Sequence, residues 1–170
     1  MNENVRNSIK RIKKTTFDFI VTNARSLAPK IESVITAFNE LDLHFAVIAE
    51  SWLKECKNLS DDLDDLNDGE NISIIHKSRK SRRGKNAGGG IAILFQKNKI
   101  RLSERKIRRG KCELVCATGK LPGVARKIVI LGAYLPPNIK ANQAHEALAY
   151  ISDAIGIIKQ EMNDLSLIHI

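Results

Sequence analysis

The sequence predicts a mixed α/β domain, on three observations. Apolar segments of strand length recur along most of the chain, and the longest of them is 128–135. Two other segments, 29–41 and 141–162, place apolar side chains at the three- and four-residue spacing of a helix. The 170 residues, 43% hydrophobic and 28% charged, are enough for one domain with a buried core.

The first fifty residues predict a strand, a helix and a second strand. Residues 17–22 and 44–49 are short apolar runs typical of buried strands. Pro29 lies where the intervening helix begins, which suits proline because the first N–H groups of a helix have no intrahelical partner. Glu50 follows the second strand directly. Residues 1–16 are predicted to be a basic arm ahead of a domain over 17–170.

Strands dominate the middle of the chain, and a long helix follows them. The predicted strands are 71–76, 90–95, 100–107, 113–118 and 127–134, and one more begins at 165–170. Because each predicted helix has one apolar stripe, each is expected to cover a sheet. We expect both helices on the same outer face of one sheet.

Positive charge is concentrated in one stretch of the chain. The net charge is +9, and 14 of the 28 Lys and Arg residues lie in 76–111, with Glu104 as the only acid among them. Such basicity favours a polyanionic partner, here DNA or RNA. The alternative is that these charges only keep a hairpin soluble. The candidate contacts are the basic residues of the loop 77–85: Lys77, Arg79, Lys80, Arg82, Arg83 and Lys85.

Several other classes of protein are disfavoured. Three cysteines are too few for a disulfide scaffold, so we expect an intracellular, nuclear or cytoplasmic protein rather than a secreted one. No apolar run reaches the ~18 residues that cross a bilayer. Cys112 and Cys116 lie ~13 Å apart along a strand, too far to share one zinc ion, and are read as core residues. The glycines at 88–90 lack the spacing of a P-loop.

Four short motifs follow one another along the chain. They are Thr-Asn-Ala-Arg-Ser-Leu at 22–27, Ile-Ala-Glu-Ser-Trp-Leu at 48–53, Gly-Gly-Gly-Ile-Ala-Ile-Leu at 88–94 and Gly-Ala-Tyr-Leu-Pro-Pro at 132–137. With these motifs, the chain from Phe17 to Ile170 resembles the endonuclease/exonuclease/phosphatase superfamily. It most closely resembles the endonuclease domain of non-LTR (LINE-type) retrotransposons.

The resemblance implies a four-layer α/β sandwich, in which helices flank mixed β-sheets, and Mg²⁺-dependent cleavage of phosphodiester bonds. In that family the residue matching Asn23 helps to order the site, the one matching Glu50 ligates the metal, and the one matching Tyr134 contacts the scissile phosphate region. These three are the candidate catalytic residues. Pro137 stands where relatives that cleave at abasic sites often have Asn, which argues against that specificity.

Two motifs of the family do not occur in this sequence. The family has Gly-Asp-x-Asn after the next strand and an Asp-His pair near the end of the domain, where they stabilise charge and deprotonate the attacking water. Here the corresponding strand is Leu-Ser-Leu-Ile-His-Ile at 165–170. We therefore expect the N-terminal two-thirds of a catalytic domain, with the C-terminal part missing and negligible cleavage by this chain alone, because losing a base and its partner costs ~10⁴-fold in rate.

Two alternatives to a truncated endonuclease stay open. In the first alternative the chain is a basic module that binds nucleic acid without catalysis. In the second it is a structural fragment without a function of its own. In the family's sandwich two sheets cover each other, and the missing part is expected to supply much of the second sheet. The strands 44–49 and 127–134 would then expose apolar side chains, so self-association through an uncovered sheet face is also expected.

Overall fold

The computed structural model describes residues 17–53, 71–78, 89–107, 112–122 and 127–161, and the backbone of 165–169. Each strand and helix predicted from the sequence is found, with ends shifted by a few residues. The elements in chain order are β1 (Phe19–Asn23), a 3-10 turn (Ala28–Lys30), α1 (Ile31–Glu40), β2 (Phe45–Ala49), β3 (Ile72–Lys77), β4 (Ile91–Gln96), β5 (Arg101–Glu104), β6 (Glu113–Lys120), β7 (Lys127–Tyr134), α2 (Ala141–Glu161) and β8 (Leu165–His169).

The strands form two four-stranded sheets. The first sheet has the order β1-β2-β4-β3 and the second has the order β5-β6-β7-β8. In each sheet one pair is parallel, β1 with β2 and β7 with β8, and the other pairs are antiparallel. Both sheets are therefore mixed, as the resemblance implies.

The two sheets pack face to face and enclose an apolar core. Alternate residues of β2, such as Phe45 and Val47, meet residues of β7 such as Ile128 and Ile130. The other face of the first sheet is covered by α1, and the outer face of the second sheet by α2. The layers are thus helix, sheet, sheet, helix.

The expectation that both helices lie on one face of one sheet is wrong. Ile35 of α1 packs against the residues of β2 and β4 that point away from the second sheet. Ile158 of α2 packs against Val129 and Leu131 on the outer face of β7. Because the strands divide into two sheets that cover each other, only the two outermost faces are left for helices.

The expected uncovered sheet face is also absent from the described part of the chain. β5–β8 build a second sheet from the chain's own residues, and Phe45, Val47, Ile128 and Ile130 between the sheets are at most 2% exposed. Three consecutive exposed apolar residues lie instead at the edge strand β1. Phe19, Ile20 and Val21 are 40%, 40% and 47% exposed.

Gly132 of β7 faces the first sheet at short range. A Cβ atom there would be 2.8 Å from Ile91 Cδ1 and 3.1 Å from both Val47 Cγ1 and Val115 Cγ1. Glycine at this position therefore lets β7 approach the first sheet.

Cys116 lies in the core on the outer face of the second sheet, and Cys112 is half-buried. Burial raises the pKa of Cys112 and that of Cys116 to about 11. Both thiols are therefore protonated near neutral pH, which suits small hydrophobic residues rather than nucleophiles. No helix in the described ranges combines the length and apolar character that crossing a bilayer requires.

Candidate functional site at one end of the sandwich

Asn23 and Glu50 lie at the same end of the first sheet. β1 and β2 run parallel, and Asn23, the last residue of β1, is aligned with Ala49, the last residue of β2. Glu50 follows Ala49, and the antiparallel β4 begins beside it at Ile91. Because the carboxyl ends of parallel strands share one edge, the first two motifs meet here.

Tyr134 reaches this end of the sandwich from the second sheet. It is the last residue of β7, and its hydroxyl donates a hydrogen bond to Glu50 Oε1 at 3.1 Å. The two residues are 84 positions apart in the sequence, and both are half-buried. The tyrosine thus fixes the orientation of the carboxylate between the two sheets.

Glu113 is a second carboxylate at this end, which the sequence reasoning missed. It is the first residue of β6 and is aligned with Tyr134. Its Oε2 accepts a hydrogen bond from the backbone N–H of Gly90, which precedes β4. The available signal was its place at the start of an apolar strand, but strand pairing was needed to align it with Tyr134.

The backbone around Glu50 is unusually strained. Four non-glycine residues of the described chain have positive φ in the two loops that end β1 and β2: Arg25 (46°), Ser26 (84°), Glu50 (49°) and Trp52 (53°). Each such residue costs of order 1–3 kcal/mol, and such residues cluster at functional sites. The strain indicates that this end is built to hold particular side chains.

Hydrogen bonds between the two loops maintain this geometry. Ser26 N–H donates to the Glu50 carbonyl and Leu27 N–H to the Ser51 carbonyl, both at 2.9 Å. The Lys30 ammonium donates to the carbonyl of Ala24. The Glu50 loop is therefore fixed from one side by the segment after β1.

Gly90 fixes the Glu50 loop from the other side. Its carbonyl accepts a hydrogen bond from Ser51 N–H at 3.2 Å, and its φ of +85° favours glycine. A Cβ atom at Gly90 would lie 2.7 Å from Ser51 Oγ and 3.3 Å from the Lys77 carbonyl oxygen. The hydroxyl of Ser51 is fully buried against this glycine.

Gly90→Ala is expected to displace Ser51 and with it Glu50. We expect a loss of about 1–3 kcal/mol in the free energy of unfolding, measured by urea denaturation. Gly156→Ala in α2 is the matched control, because its Cβ would meet nothing within 4 Å; the control should be neutral or slightly stabilising. Equal stability of Gly90→Ala and wild type would contradict the role assigned to Gly90.

The Asn23 side chain is oriented by its own loop. Its Oδ1 accepts a hydrogen bond from Arg25 N–H at 3.1 Å, and the residue is exposed. The amide NH₂ is therefore presented as a donor, as a group that contacts a phosphate oxygen requires.

The oxygen atoms at this end fit an Mg²⁺ ion that has few protein ligands. No group of three His, Cys, Asp or Glu side chains able to hold a metal occurs in the described ranges. Mg²⁺ commonly uses one or two carboxylates and completes its shell with water and substrate phosphate oxygens. Glu50 meets that minimum; its role as a ligand stays a prediction.

The described residues that flank the basic loop 77–85 lie at the Glu50 end of the first sheet. β3 ends at Lys77, which is aligned with Ile91, and Trp52 N–H donates to the Gly89 carbonyl at 2.8 Å. Lys77 is half-buried. The other predicted contacts, Arg79, Lys80, Arg82, Arg83 and Lys85, lie outside the described residues. Their segment begins after Ser78 and ends before Gly89, so it is attached to the candidate site at both ends.

Some basic residues of the wider stretch 76–111 lie elsewhere and face acids. Lys99 forms an ion pair with Asp42, and Arg105 forms one with Glu161. Lys99 follows β4 at the end of the sandwich opposite to Glu50. Lys99 and Arg105 are thus paired with acids of the chain itself, and nucleic-acid contact by the loop 77–85 stays a prediction.

Comparisons with known proteins connect this geometry to a fold. No family model and no curated protein match the sequence. Among solved structures, an endonuclease/exonuclease/phosphatase family protein from Bacteroides thetaiotaomicron matches with a TM-score of 0.66 at 12% identity, covering 91% of this chain and 63% of that one. A mannosyl-6-phosphatase from the same organism gives 0.63 at 13%, covering 91% and 64%. A 3′ phosphatase from Neisseria bound to a product DNA hairpin gives 0.59 at 12%, covering 91% and 57%.

These similarities show the fold of the chain and how much of each matched structure it covers. Each matched structure is longer, and this chain spans 57% to 64% of the three lengths. One of them is a mannosyl-6-phosphatase and another a 3′ phosphatase bound to a product DNA hairpin, so the shared fold occurs in proteins with different substrates. The chain has the fold of endonuclease/exonuclease/phosphatase structures over somewhat more than half of their length.

Proposed function

We propose that the Glu50 end of the sandwich binds a nucleic-acid phosphodiester, as part of an Mg²⁺-dependent phosphodiesterase site of endonuclease type. The observation that carries the proposal is the hydrogen bond from Tyr134 to Glu50 across the two sheets, at the end where Asn23 lies and the basic loop is attached. This hydrogen bond supports the proposal because it joins the residue assigned to the metal and the residue assigned to the phosphate region.

Each side chain has a distinct role in this proposal. Glu50 supplies a carboxylate oxygen to Mg²⁺, and Tyr134 O–H holds that carboxylate in one orientation. Asn23 NH₂ donates to a phosphate oxygen. When bound, Mg²⁺ would polarise the phosphoryl oxygen and stabilise the charge that develops there.

Cleavage by the 170-residue chain alone is expected to be negligible. Its sequence contains no Ser-Asp-His context, and His76, at the end of β3 near the site, does not match the family's general base. A non-LTR retrotransposon origin rests on the four sequence motifs and is part of the proposal. The second candidate, a nucleic-acid-binding module without catalysis, is favoured by the attachment of the basic loop beside Glu50.

Glu50→Gln is expected to weaken binding of a divalent cation about a hundredfold, because it removes the only charge assigned to the ion. Mn²⁺ bound in the presence of an oligonucleotide can be followed by water proton relaxation. Tyr134→Phe should weaken binding of the cation about tenfold, since this substitution removes only the group that orients the Glu50 carboxylate.

Glu104→Gln is the matched control for Glu50→Gln. It makes the same charge change at an exposed position of β5. Equal Mn²⁺ binding by wild type and Glu50→Gln would contradict the metal assignment. Nicking of supercoiled plasmid in Mg²⁺ that Glu50→Gln abolishes would contradict the expectation that this chain is inactive.

A further inference from the structure

Trp52 is an exposed aromatic residue beside the candidate site. It is the only tryptophan of the chain, it lies two positions after Glu50, and 48% of its surface is exposed. Tryptophan is usually well buried because its ring removes a large apolar area from water. Its exposure next to the proposed metal ligand therefore suggests that the indole contacts a ligand.

The backbone of Trp52 is held in a defined position. Its N–H donates to the Gly89 carbonyl at 2.8 Å, and its φ is +53°. The neighbouring side chains of Ser51 and Leu53 are 0% and 7% exposed. Because the residues on both sides point into the protein, the indole is presented from a rigid segment, and little conformational entropy is lost when a ligand binds.

The position of Trp52 suits a base next to a phosphate at Glu50. Two residues apart, the Cα atoms of Glu50 and Trp52 are at most ~7.6 Å from each other. The indole can therefore reach the base of the nucleotide whose phosphodiester lies at Glu50. The basic loop, which ends before Gly89, is attached on the same side.

We propose that Trp52 stacks on an unpaired base of the nucleotide adjoining the phosphodiester at Glu50. This inference rests on the proposed function and narrows the ligand to nucleic acid that is single-stranded or frayed at the site, since a base within a duplex already has both faces stacked. Stacking tolerates any base, so Trp52 contributes affinity for unpaired strands rather than a sequence preference.

Because Trp52 is the only tryptophan of the chain, its fluorescence reports directly on stacking. Adding an eight-nucleotide oligothymidine to the chain should quench that emission with the same midpoint as the anisotropy change of a labelled copy of the oligonucleotide. Ribose 5-phosphate, which has the phosphate and sugar but no base, should leave the emission unchanged.

Substitutions separate stacking from charge. Trp52→Ala should weaken oligothymidine binding about 5- to 150-fold, the fold-change for a stacked base worth ~1–3 kcal/mol. It should leave the slope of log K against log salt unchanged, because stacking releases no counterions. Trp52→Phe should bind within about threefold of wild type. Leu148→Ala, at an exposed position of α2, is the control and should bind as wild type does.

The outcomes distinguish this inference from the proposed function. Binding seen by anisotropy without quenching, or unchanged affinity of a folded Trp52→Ala, would overturn the stacking role and leave the proposed function standing. Quenching by ribose 5-phosphate would overturn the requirement for a base. No oligonucleotide binding by wild type at low salt would overturn both.

Discussion

Raising NaCl from 50 to 200 mM is expected to weaken the binding of this chain to a DNA duplex about 500-fold. The basic loop 77–85 carries six Lys and Arg residues, and the described residues that flank it lie at the Glu50 end of the first sheet. If about five of them contact phosphates, log K falls with log salt at a slope near −4.5, from ~0.9 per contact. Anisotropy titrations at four salt concentrations measure this slope.

Charge-removing variants locate the contacts. Replacing Arg82 and Arg83 with Ala should reduce the slope by about 1.8. Replacing Lys97 and Lys127 with Ala removes the same charge from exposed residues at the opposite end of the sandwich, and should leave the slope nearly unchanged. Binding that does not depend on salt would show that the loop only keeps the protein soluble.

Val21→Lys is expected to weaken self-association of the chain at least about a hundredfold. Among the described strands β1 pairs only with β2, so its outer edge can accept another strand. The register places Phe19 and Val21 on the face shared with Phe45 and Val47, and Ile20 on the opposite face, yet all three are exposed. Neither the second sheet nor α1 covers this strand.

We expect a second copy of the chain to pair with this edge. The segment 19–23 carries no charge, so two copies can pair there without local repulsion although each carries +9. A two-fold antiparallel pairing about Val21 would bury that side chain from both copies. Val21 is already about half covered, so Val21→Lys loses about half of the ~1.5–3 kcal/mol of full burial in each copy. It also brings two like charges together, and these effects in the two copies give the expected hundredfold weakening.

Sedimentation velocity over a range of protein concentrations measures this association. Added salt should strengthen it, because salt screens the repulsion between two basic copies, whereas salt weakens nucleic-acid binding. Leu148→Lys, at an exposed apolar position of α2, is the matched control and should associate as wild type does. A wild-type chain that stays monomeric at all concentrations would contradict the assignment of β1 as an interface.

Local pattern was sufficient to predict the elements. The apolar run 127–134 is the strand β7, and the helical spacing over 29–41 is α1 with its preceding 3-10 turn. The strand predicted over 100–107 ends at Glu104, because the following residues leave the ladder with β6. Short apolar runs and single apolar stripes are properties of neighbouring residues, so they can be read without knowing what packs against them.

The placement of the candidate site was predictable only in part. A polar residue after a strand indicates a sheet end, which applies to Asn23, Glu50 and Tyr134 alike. The alignment of Asn23 with Ala49 and the hydrogen bond from Tyr134 to Glu50 depend on strand pairings between distant segments. Their catalytic roles stay predictions. Glu113 could not be found from the sequence, because only the register of β6 with β7 aligns it with Tyr134.

The sequence by itself determined the kinds of elements, their order, the motifs that resemble a nuclease family and the concentration of positive charge in 76–111. The tertiary structure alone decided how the strands divide between two sheets, which faces α1 and α2 cover, and that β1 rather than a sheet face is exposed. An amphipathic pattern predicts that a surface is buried. It does not predict which surface packs against it, since hydrophobic burial is non-directional. That choice is made by strand pairing and by close approach at positions such as Gly132, which bring together residues far apart in the chain.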